Sequence, residues 1–506
     1  MTSQPLSSSP AVPAGVSRLL DRWRSRVPAL VLGIVLTALL LAVVRVLAYG
    51  FIPPDDSMRH VAKVFSGKPW GEILVLRPGL TQDSHPGWHA LLGAWHGVAG
   101  GSPDTLVAVS VAGLWLLVMG LAACLAARPE GWLLAVGVAG AAALGSSDLL
   151  LRFLLGRPLL VSVAVLLLFC FRWQTLCGRR WHWPWAAAFA AAAALSCWIH
   201  GSWYLLSLPV AGLLLARQWR GAARLALLTA AGILLGAGLT GQPVAFLAQT
   251  WNHLFLSLGQ PVPSTSLVTE FQPGRGDTAL VLVAALVLLW RQARGRWRWS
   301  CIDNPVFYLA ALGWLLGLAV VRFWTDWGAP ALIAWLALEL QPVLIRALPR
   351  HAWGRLAVAA GAAGLLLLVL VPDRGGRWTQ NLLVERITAA DPDQRPWLPG
   401  PGGIVYSDNM NIFYETFYEN PQGDWKYVLG FEPGWMPADD LRILRDIQRF
   451  QGGKCFQPWV RKMRPQDRLI LAAGPEAPPS VEGLEWHYAA KNRWSGRPLP
   501  APATGH

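Results

Sequence analysis

The sequence predicts an all-α polytopic membrane domain of about eleven transmembrane helices followed by a small α/β soluble domain. Three observations carry that prediction. The 506 residues are 54% hydrophobic and only 14% charged, with mean hydropathy +0.38, whereas soluble chains average about 25% charged residues. Charge is unevenly divided: residues 373–506 hold 16 basic and 16 acidic side chains while residues 1–372 hold 27 and 13, so the net +14 belongs to the apolar part. Apolar runs approaching the roughly 20 residues that cross a hydrocarbon core recur along that part.

Residues 1–26 read as a cytoplasmic tail, with Arg18, Arg22, Arg24 and Arg26 at the membrane face. The run from Val27 to Tyr49 exceeds the roughly 7 to 15 residues of a signal-peptide core, so no cleavable signal is expected. Within the membrane domain, 27–372, spans are expected at 27–50, 103–127, 131–147, 157–173, 184–199, 203–216, 224–241, 277–290, 305–321, 329–346 and 356–372. With the N-terminus inside, the tail and alternate loops carry 18 Lys and Arg against 8 in the opposite loops. This is the positive-inside bias. An odd number of spans then places the domain 373–506 outside, and an Arg/Ala/Trp-rich, Lys-poor composition suggests a GC-rich bacterium. The expected location is therefore the bacterial inner membrane, with the domain periplasmic.

In that domain Gly403–Ser407 and Asp467–Ala473 read as strands and Ala438–Phe450 as an amphipathic helix. Phe413, Tyr414, Phe417, Tyr418 and Trp425 are either its core or the lining of a sugar or acceptor surface. Cys124, Cys170, Cys177, Cys197 and Cys301 lie in or beside apolar runs and Cys455 stands alone in the soluble part, so no disulfide framework is expected there. Basic residues form short clusters between apolar runs rather than one face, which excludes nucleic acid as a partner.

Polar chemistry gathers in the outer loops. The first, 51–102, opens with Asp55 and Asp56, an acidic pair that is costly beside lipid unless it faces water, binds a cation or takes a proton. Asp83, His85 and His89 follow, leading into a Trp- and Leu-rich stretch suited to the interface. The second outer loop holds Asp148, Arg152 and Arg157, and Gly156 and Pro158 break the helix so that both guanidinium groups can turn toward one anion. Arg is the fork that phosphate oxygens prefer; snorkelling to headgroups is the alternative. Further outer positions are His200, Glu270, Arg322 and Asp326. Arg45, inside the first span, should face the interior, pairing with Asp148 or reaching a lipid phosphate.

An acidic pair just after the first span, a later His85-Pro86 entering an amphipathic segment, and a C-terminal outer domain together resemble the GT-C glycosyltransferases. That polytopic class includes the protein O-mannosyltransferases, the oligosaccharyltransferase catalytic subunit and the aminoarabinose transferase of lipid A. An Arg-x4-Arg-Pro pattern (Arg152 to Pro158), an Arg-Phe-x6-Pro pattern (Arg322 to Pro330) and the segment from Gly403 through Pro433 are similar to uncharacterised bacterial members. The resemblance implies transfer of a sugar from a polyprenyl-phosphate-linked donor to a periplasmic glycan, lipid or protein acceptor. A first-loop Asp would act as base, or as ligand to a divalent metal ion in the metal-using members. The second acidic motif is reduced to Asp148 and no Trp-Trp-Asp occurs, so neither N-glycosylation nor a strict metal requirement is expected. Asp55 or Asp56 is then the catalytic base, its pKa raised by the neighbouring carboxylate. Arg152, Arg157, Arg322 and Arg45 would hold the donor phosphate, and Asp83, His85, His89, Asp148, His200, Glu270 and Asp326 the substrate or acceptor. The rival readings are a polytopic lipid or polysaccharide transporter or flippase, and a non-catalytic membrane assembly protein.

Overall fold

The computed structural model describes residues 14–500 except 54, 81–82, 143–147, 179, 259–271, 275–277, 296–298, 300–301, 348–351 and 384. Glu270 and Cys301 lie outside the described residues. The chain opens with a long helix α1 (Ala14–Leu47), and the loop after it carries α2 (Asp56–Ser66), α3 (Trp70–Ile73) and α4 (Pro86–Ala99). The membrane bundle continues with α5 (Pro103–Leu125), α6 (Pro129–Ala142), the short α7 (Asp148–Arg152), α8 (Leu159–Cys177), α9 (Trp183–Ile199) and α10 (Leu208–Leu215). It is completed by α11 (Trp219–Gly238), α12 (Pro243–Leu258), α13 (Thr278–Ala293), α14 (Pro305–Ala319), α15 (Ala329–Ala347) and α16 (Ala352–Leu370).

Each apolar run read as a span overlaps one of these helices within the described residues. Among the described residues six helical segments, Ser25–Leu47, Pro103–Leu125, Leu159–Cys177, Trp219–Gly238, Val321–Ala347 and Ala352–Leu370, are long and apolar enough to cross a membrane. The chain is a multi-pass membrane protein. The helix α12 was not anticipated: it occupies a stretch read as loop. In α4 Trp88 and Leu92 are buried while Leu91, Trp95 and Val98 are exposed.

Lipid gives helices no hydrophobic incentive to associate, so the bundle is held by close packing and satisfied polar groups. Helices α9 and α11 pack where Gly232 and Gly236 let the backbones approach Ala190–Ala194 too closely for any Cβ. The buried indoles of Trp115 and Trp132 donate to Leu39 O at 2.9 Å and Met119 O at 3.1 Å. Arg355 on α16 meets the buried Glu130 of α6 at 3.1 Å.

The C-terminal region is a five-stranded mixed sheet in the order β2-β1-β3-β5-β4, with β1 Gly403–Tyr406, β2 Trp425–Tyr427, β3 Arg468–Ala472, β4 Leu484–Ala490 and β5 Arg493–Pro498. β1 is parallel to both β2 and β3, and β5 is antiparallel to β3 and β4. Alternation splits the sheet into two buried faces. Val405 and Ile470 pack with Ile412, Phe413 and Phe417 of α17 (Met410–Glu419), while Tyr406, Leu469 and Leu471 pack with Leu441, Leu444 and Ile447 of α18 (Ala438–Phe450). Of the aromatic residues left open between two readings, Phe413 and Phe417 are core; Tyr414 and Tyr418 are buried too, but their hydroxyls reach Asp56 and Asp104, and the half-buried Trp425 donates to the Tyr427 hydroxyl at 3.1 Å.

The loop after α1 is part of this unit. Trp70, Ile73 and Leu74 join the α17 face of its core, and Leu74 pairs with Tyr427 as an isolated parallel bridge. Gln422 donates to Phe65 O and the Lys68 ammonium to Gly423 O, each at 2.7 Å, and the Tyr418 hydroxyl reaches Asp104 at 2.5 Å. So the sheet domain is clamped onto the loop that carries the acidic pair.

Candidate functional site

The acidic pair starts a helix. Asp55 is the N-cap of α2, its carboxylate accepting from Asp56 N at 2.6 Å, which satisfies one of the orphan donors that every helix start exposes. Its other oxygen, Oδ2, accepts from Nε of Arg157 at 3.0 Å and also from Nη2 of the same guanidinium. Gly156 makes this approach possible. It sits at φ +65°, and a Cβ there would come within 3.0 Å of Ser57 and 3.1 Å of Val111, so the turn delivering Arg157 to the start of α2 requires glycine.

Asp56 faces two cations and a phenol. Arg59, one turn along α2, donates to Asp56 Oδ1 at 2.8 Å; Arg157 Nε stands 3.8 Å from Oδ2; and the Tyr414 hydroxyl of the sheet domain is 3.4 Å from Oδ1. Arg59 is only 3% exposed, lies 3.8 Å over the ring of Phe431, and leaves Nη1 without a hydrogen-bond partner among the described residues. Burial alone would raise the Asp56 pKa, but Arg59 and Arg157 outweigh it and hold the carboxyl below the usual carboxylate range. For Asp56 this corrects the expectation of a raised pKa: the two guanidinium groups outweigh both burial and the neighbouring carboxylate.

Beside this pair lies a line of imidazoles. Asp83 Oδ2 meets His89 Nδ1 at 2.5 Å, His89 Nε2 meets His60 Nδ1 at 2.8 Å, and the His85 ring lies 4.8 Å from that of His60 and 5.0 Å from that of His200. His60 Nε2 and His85 Nδ1 have no hydrogen-bond partner among the described residues although both rings are buried. Burial, then the positive charge of Arg59, hold His60 and His85 well below the ordinary histidine value; burial, then Arg322, bring His200 down to about 3. Burial would raise Asp83, but His89 more than compensates and its pKa is lowered.

These shifts share one sign. On the acid side of each ordinary pKa the unfolded chain binds more protons than the folded one, so stability falls with falling pH, through the histidines below about 6.5 and through the carboxylates below about 4. The detergent-solubilised protein is expected to hold its thermal midpoint down to about pH 6.5 and lose it progressively below. A midpoint that stays flat to about pH 5 would show that these imidazoles are not held neutral by burial.

The remaining expected residues divide. Arg152 does not share an anion site with Arg157: its fork grips Asp326, Nε to Oδ1 at 2.5 Å and Nη2 to Oδ2 at 2.7 Å, and Arg322 adds a bond to Asp326 Oδ2 at 3.2 Å. Asp326 is 2% exposed, in a π-helical turn leading into α15. Arg45 does not face the interior as expected. It is exposed and lies 4.9 Å over the Tyr49 ring, because its position on α1 falls opposite the buried Val43 and Val46 stripe. Asp148 begins α7, and its side chain is outside the described set.

A divalent metal fits poorly. Among the described residues no three His, Cys, Asp or Glu side chains are placed to hold one, and both carboxylates of the pair already meet guanidinium groups. Sequence reasoning missed Arg59, His60 and Phe431, and it left Tyr414 open between core and substrate surface without linking it to Asp56. The i, i+3 spacing of Asp56 and Arg59 on one helical face was the available signal for the first; the last two arrive from the sheet domain, and only folding brings them in.

No family model and no curated protein matches the sequence. Solved structures do. ArnT from Cupriavidus metallidurans bound to undecaprenyl phosphate is 14% identical, with 95% of this chain and 98% of that one covered and a TM-score of 0.51. The apo state of that protein gives 14% identity, 94% and 98% coverage and 0.48. An Archaeoglobus fulgidus oligosaccharyltransferase tethered to an acceptor peptide gives 11%, 87% and 69%, and 0.47. At this identity the likeness is one of fold: the helical bundle and its sheet domain share the overall fold of the Cupriavidus metallidurans ArnT structure bound to undecaprenyl phosphate.

Proposed function

We propose that this protein is a membrane glycosyltransferase that moves a sugar from a polyprenyl-phosphate-linked donor to an acceptor at the periplasmic face. One observation carries the reading: around the Asp55–Asp56 pair, buried polar atoms of Arg59, His60 and His85 lack hydrogen-bond partners among the described residues. Native proteins satisfy nearly all such groups, so a cluster of unsatisfied ones marks where a polar substrate sits. The GT-C fold and the undecaprenyl phosphate held by its structural neighbour favour a lipid-linked phosphate as the donor.

The chemistry follows from the ion pairs. An acceptor hydroxyl needs a base to take its proton as the glycosidic bond forms, while the departing phosphate gains charge. Arg157 serves both needs in turn. When the donor phosphate arrives, the guanidinium exchanges Asp55 Oδ2 for phosphate oxygens, which suit its planar fork equally well. Asp55 is then a carboxylate without its counter-ion, its basicity restored at the moment a donor is present. Asp56, held ionised by Arg59, keeps the local field fixed and is the weaker candidate for base. The buried neutral imidazoles of His60 and His85 offer hydrogen bonds to the sugar or acceptor hydroxyls.

Comparing envelope glycans and lipid-linked sugar pools with and without the gene tests the reading directly. Accumulation of a glycosylated polyprenyl carrier, with loss of one sugar from an envelope glycan, is the expected result, and unchanged pools would overturn it. The loop after α1 and the sheet domain touch, so they share one side of the membrane, which supports an odd number of spans; the distribution of basic residues is what favours an inside N-terminus. A reporter fused after His506 is expected to score periplasmic, and a cytoplasmic score would reverse the topology.

A further inference from the structure

The sheet domain carries a second polar crevice, of about 250 Å³, lined by Asp408, Asn409, Met410, Leu429, Pro433, Leu444, Gln448 and Ala472. Its place is set by topology. From β1 the chain runs through α17 to β2 on one side, then through α18 to β3 on the other, and the two helices cover opposite faces of the sheet. Asp408, Asn409 and Met410 follow the carboxyl end of β1, and Ala472 closes β3. The crevice therefore opens at the point where the strand order reverses, where open α/β sheets bind their ligands.

Its chemistry selects the ligand. The Asp408 carboxyl has no ion pair and no side-chain partner among the described residues, only a bond to its own backbone N–H, and the buried Oε1 of Gln448 has no hydrogen-bond partner among them. The start of α17 is already capped, Asn409 accepting from Asn411 N at 2.9 Å, so no anion is called for, and Asp408 would repel one. A lone carboxylate with two amides is too few ligands for a divalent cation. What remains, carboxylate and amide groups over a floor of Met410, Leu429, Pro433 and Leu444, is the lining that recognises hydroxyls on an otherwise apolar ring. The volume lies just under the roughly 300 Å³ at which drug-sized sites begin. One further link ties the crevice to the transfer site: in the segment 429–433, Leu429 and Pro433 line the crevice while Phe431 covers Arg59.

We propose that this crevice is a second, non-catalytic saccharide-binding site, which holds an acceptor glycan through Asp408 and Gln448 beside the place of transfer. The word acceptor rests on the transferase reading; the binding does not.

The test is binding by the full-length protein in detergent, measured by saturation-transfer NMR against glucose, galactose, mannose, arabinose and their disaccharides. At least one is expected to bind the wild type and the Asp55→Asn variant alike. Asp408→Ala and Gln448→Ala should each weaken it about tenfold, the effect of unpairing one buried polar group. Asp408→Asn and Gln448→Leu, with unchanged thermal midpoints, control for folding. No binding by wild type to any of these sugars, or binding indifferent to all four substitutions, would overturn the site. If Asp408-dependent binding persists while the lipid-linked sugar pools prove unchanged by loss of the gene, the transferase reading fails and the saccharide site stands.

Discussion

Asp55→Asn is expected to lower sugar transfer by about 10² to 10⁴, the contribution of a positioned general base, while leaving the protein folded. The second half of that expectation is structural. Asn caps helices as well as Asp does, so the bond to Asp56 N at 2.6 Å that begins α2 has a replacement. Only the charge and the proton-accepting oxygen are lost. Asp56→Asn should behave differently, because it removes the counter-ion from Arg59, which is 3% exposed and has no way out to solvent. Breaking a buried pair from one side costs about 3–5 kcal/mol, reduced here because Asp56 itself is 22% exposed. Transfer assays and thermal midpoints on both variants separate the two roles. Full transfer by Asp55→Asn would remove it as the base, and full transfer by the double variant would favour an assembly protein without catalysis.

How much of this site the sequence could announce depended on the range of the interaction. Carboxylates directly after an apolar span are conspicuous because lipid penalises charge, so Asp55 and Asp56 stood out with no structure in hand. Strands β1 and β3 and the helix α18 were equally legible, since each shows its own periodicity within a few residues. The short β2 and the pair β4 and β5 were not: three residues carry no period, and an edge pair rich in Trp and charge reads as loop. Arg45 misled for a related reason. That a charge in a span should face inward is a rule about energy, and it gives way when the residue sits near the helix end with a tyrosine one turn further on to cover it. The roles of Arg152 and Arg157 were harder still. Each is an arginine near a span mouth, and which carboxylate each one meets is decided by Gly156 and by the π-helical turn before α15.

That division yields the sharpest contrast among the variants. Arg157→Lys should lower transfer by roughly ten- to a hundredfold, the loss of a charge-assisted bond of about 1.5–3 kcal/mol, with the effect growing at low donor concentration. Arg157 touches Asp55 with two nitrogens and stands 3.8 Å from Asp56, and a lysine ammonium on its flexible stem cannot span two carboxylates or reproduce the fork on a phosphate. Arg152→Lys keeps charge near Asp326 but loses one arm of a bidentate pair whose carboxylate is 2% exposed. Arg322 remains on Asp326, so the expected result is a lower thermal midpoint with the donor dependence of the surviving enzyme unchanged. Measuring transfer against donor concentration, and thermal unfolding, on the two purified variants distinguishes these outcomes. A normal donor dependence in Arg157→Lys would take the phosphate away from Arg157. A shifted one in Arg152→Lys at unchanged stability would return Arg152 to the donor site, because a purely structural ion pair lowers the amount of folded protein and leaves its affinity for donor untouched.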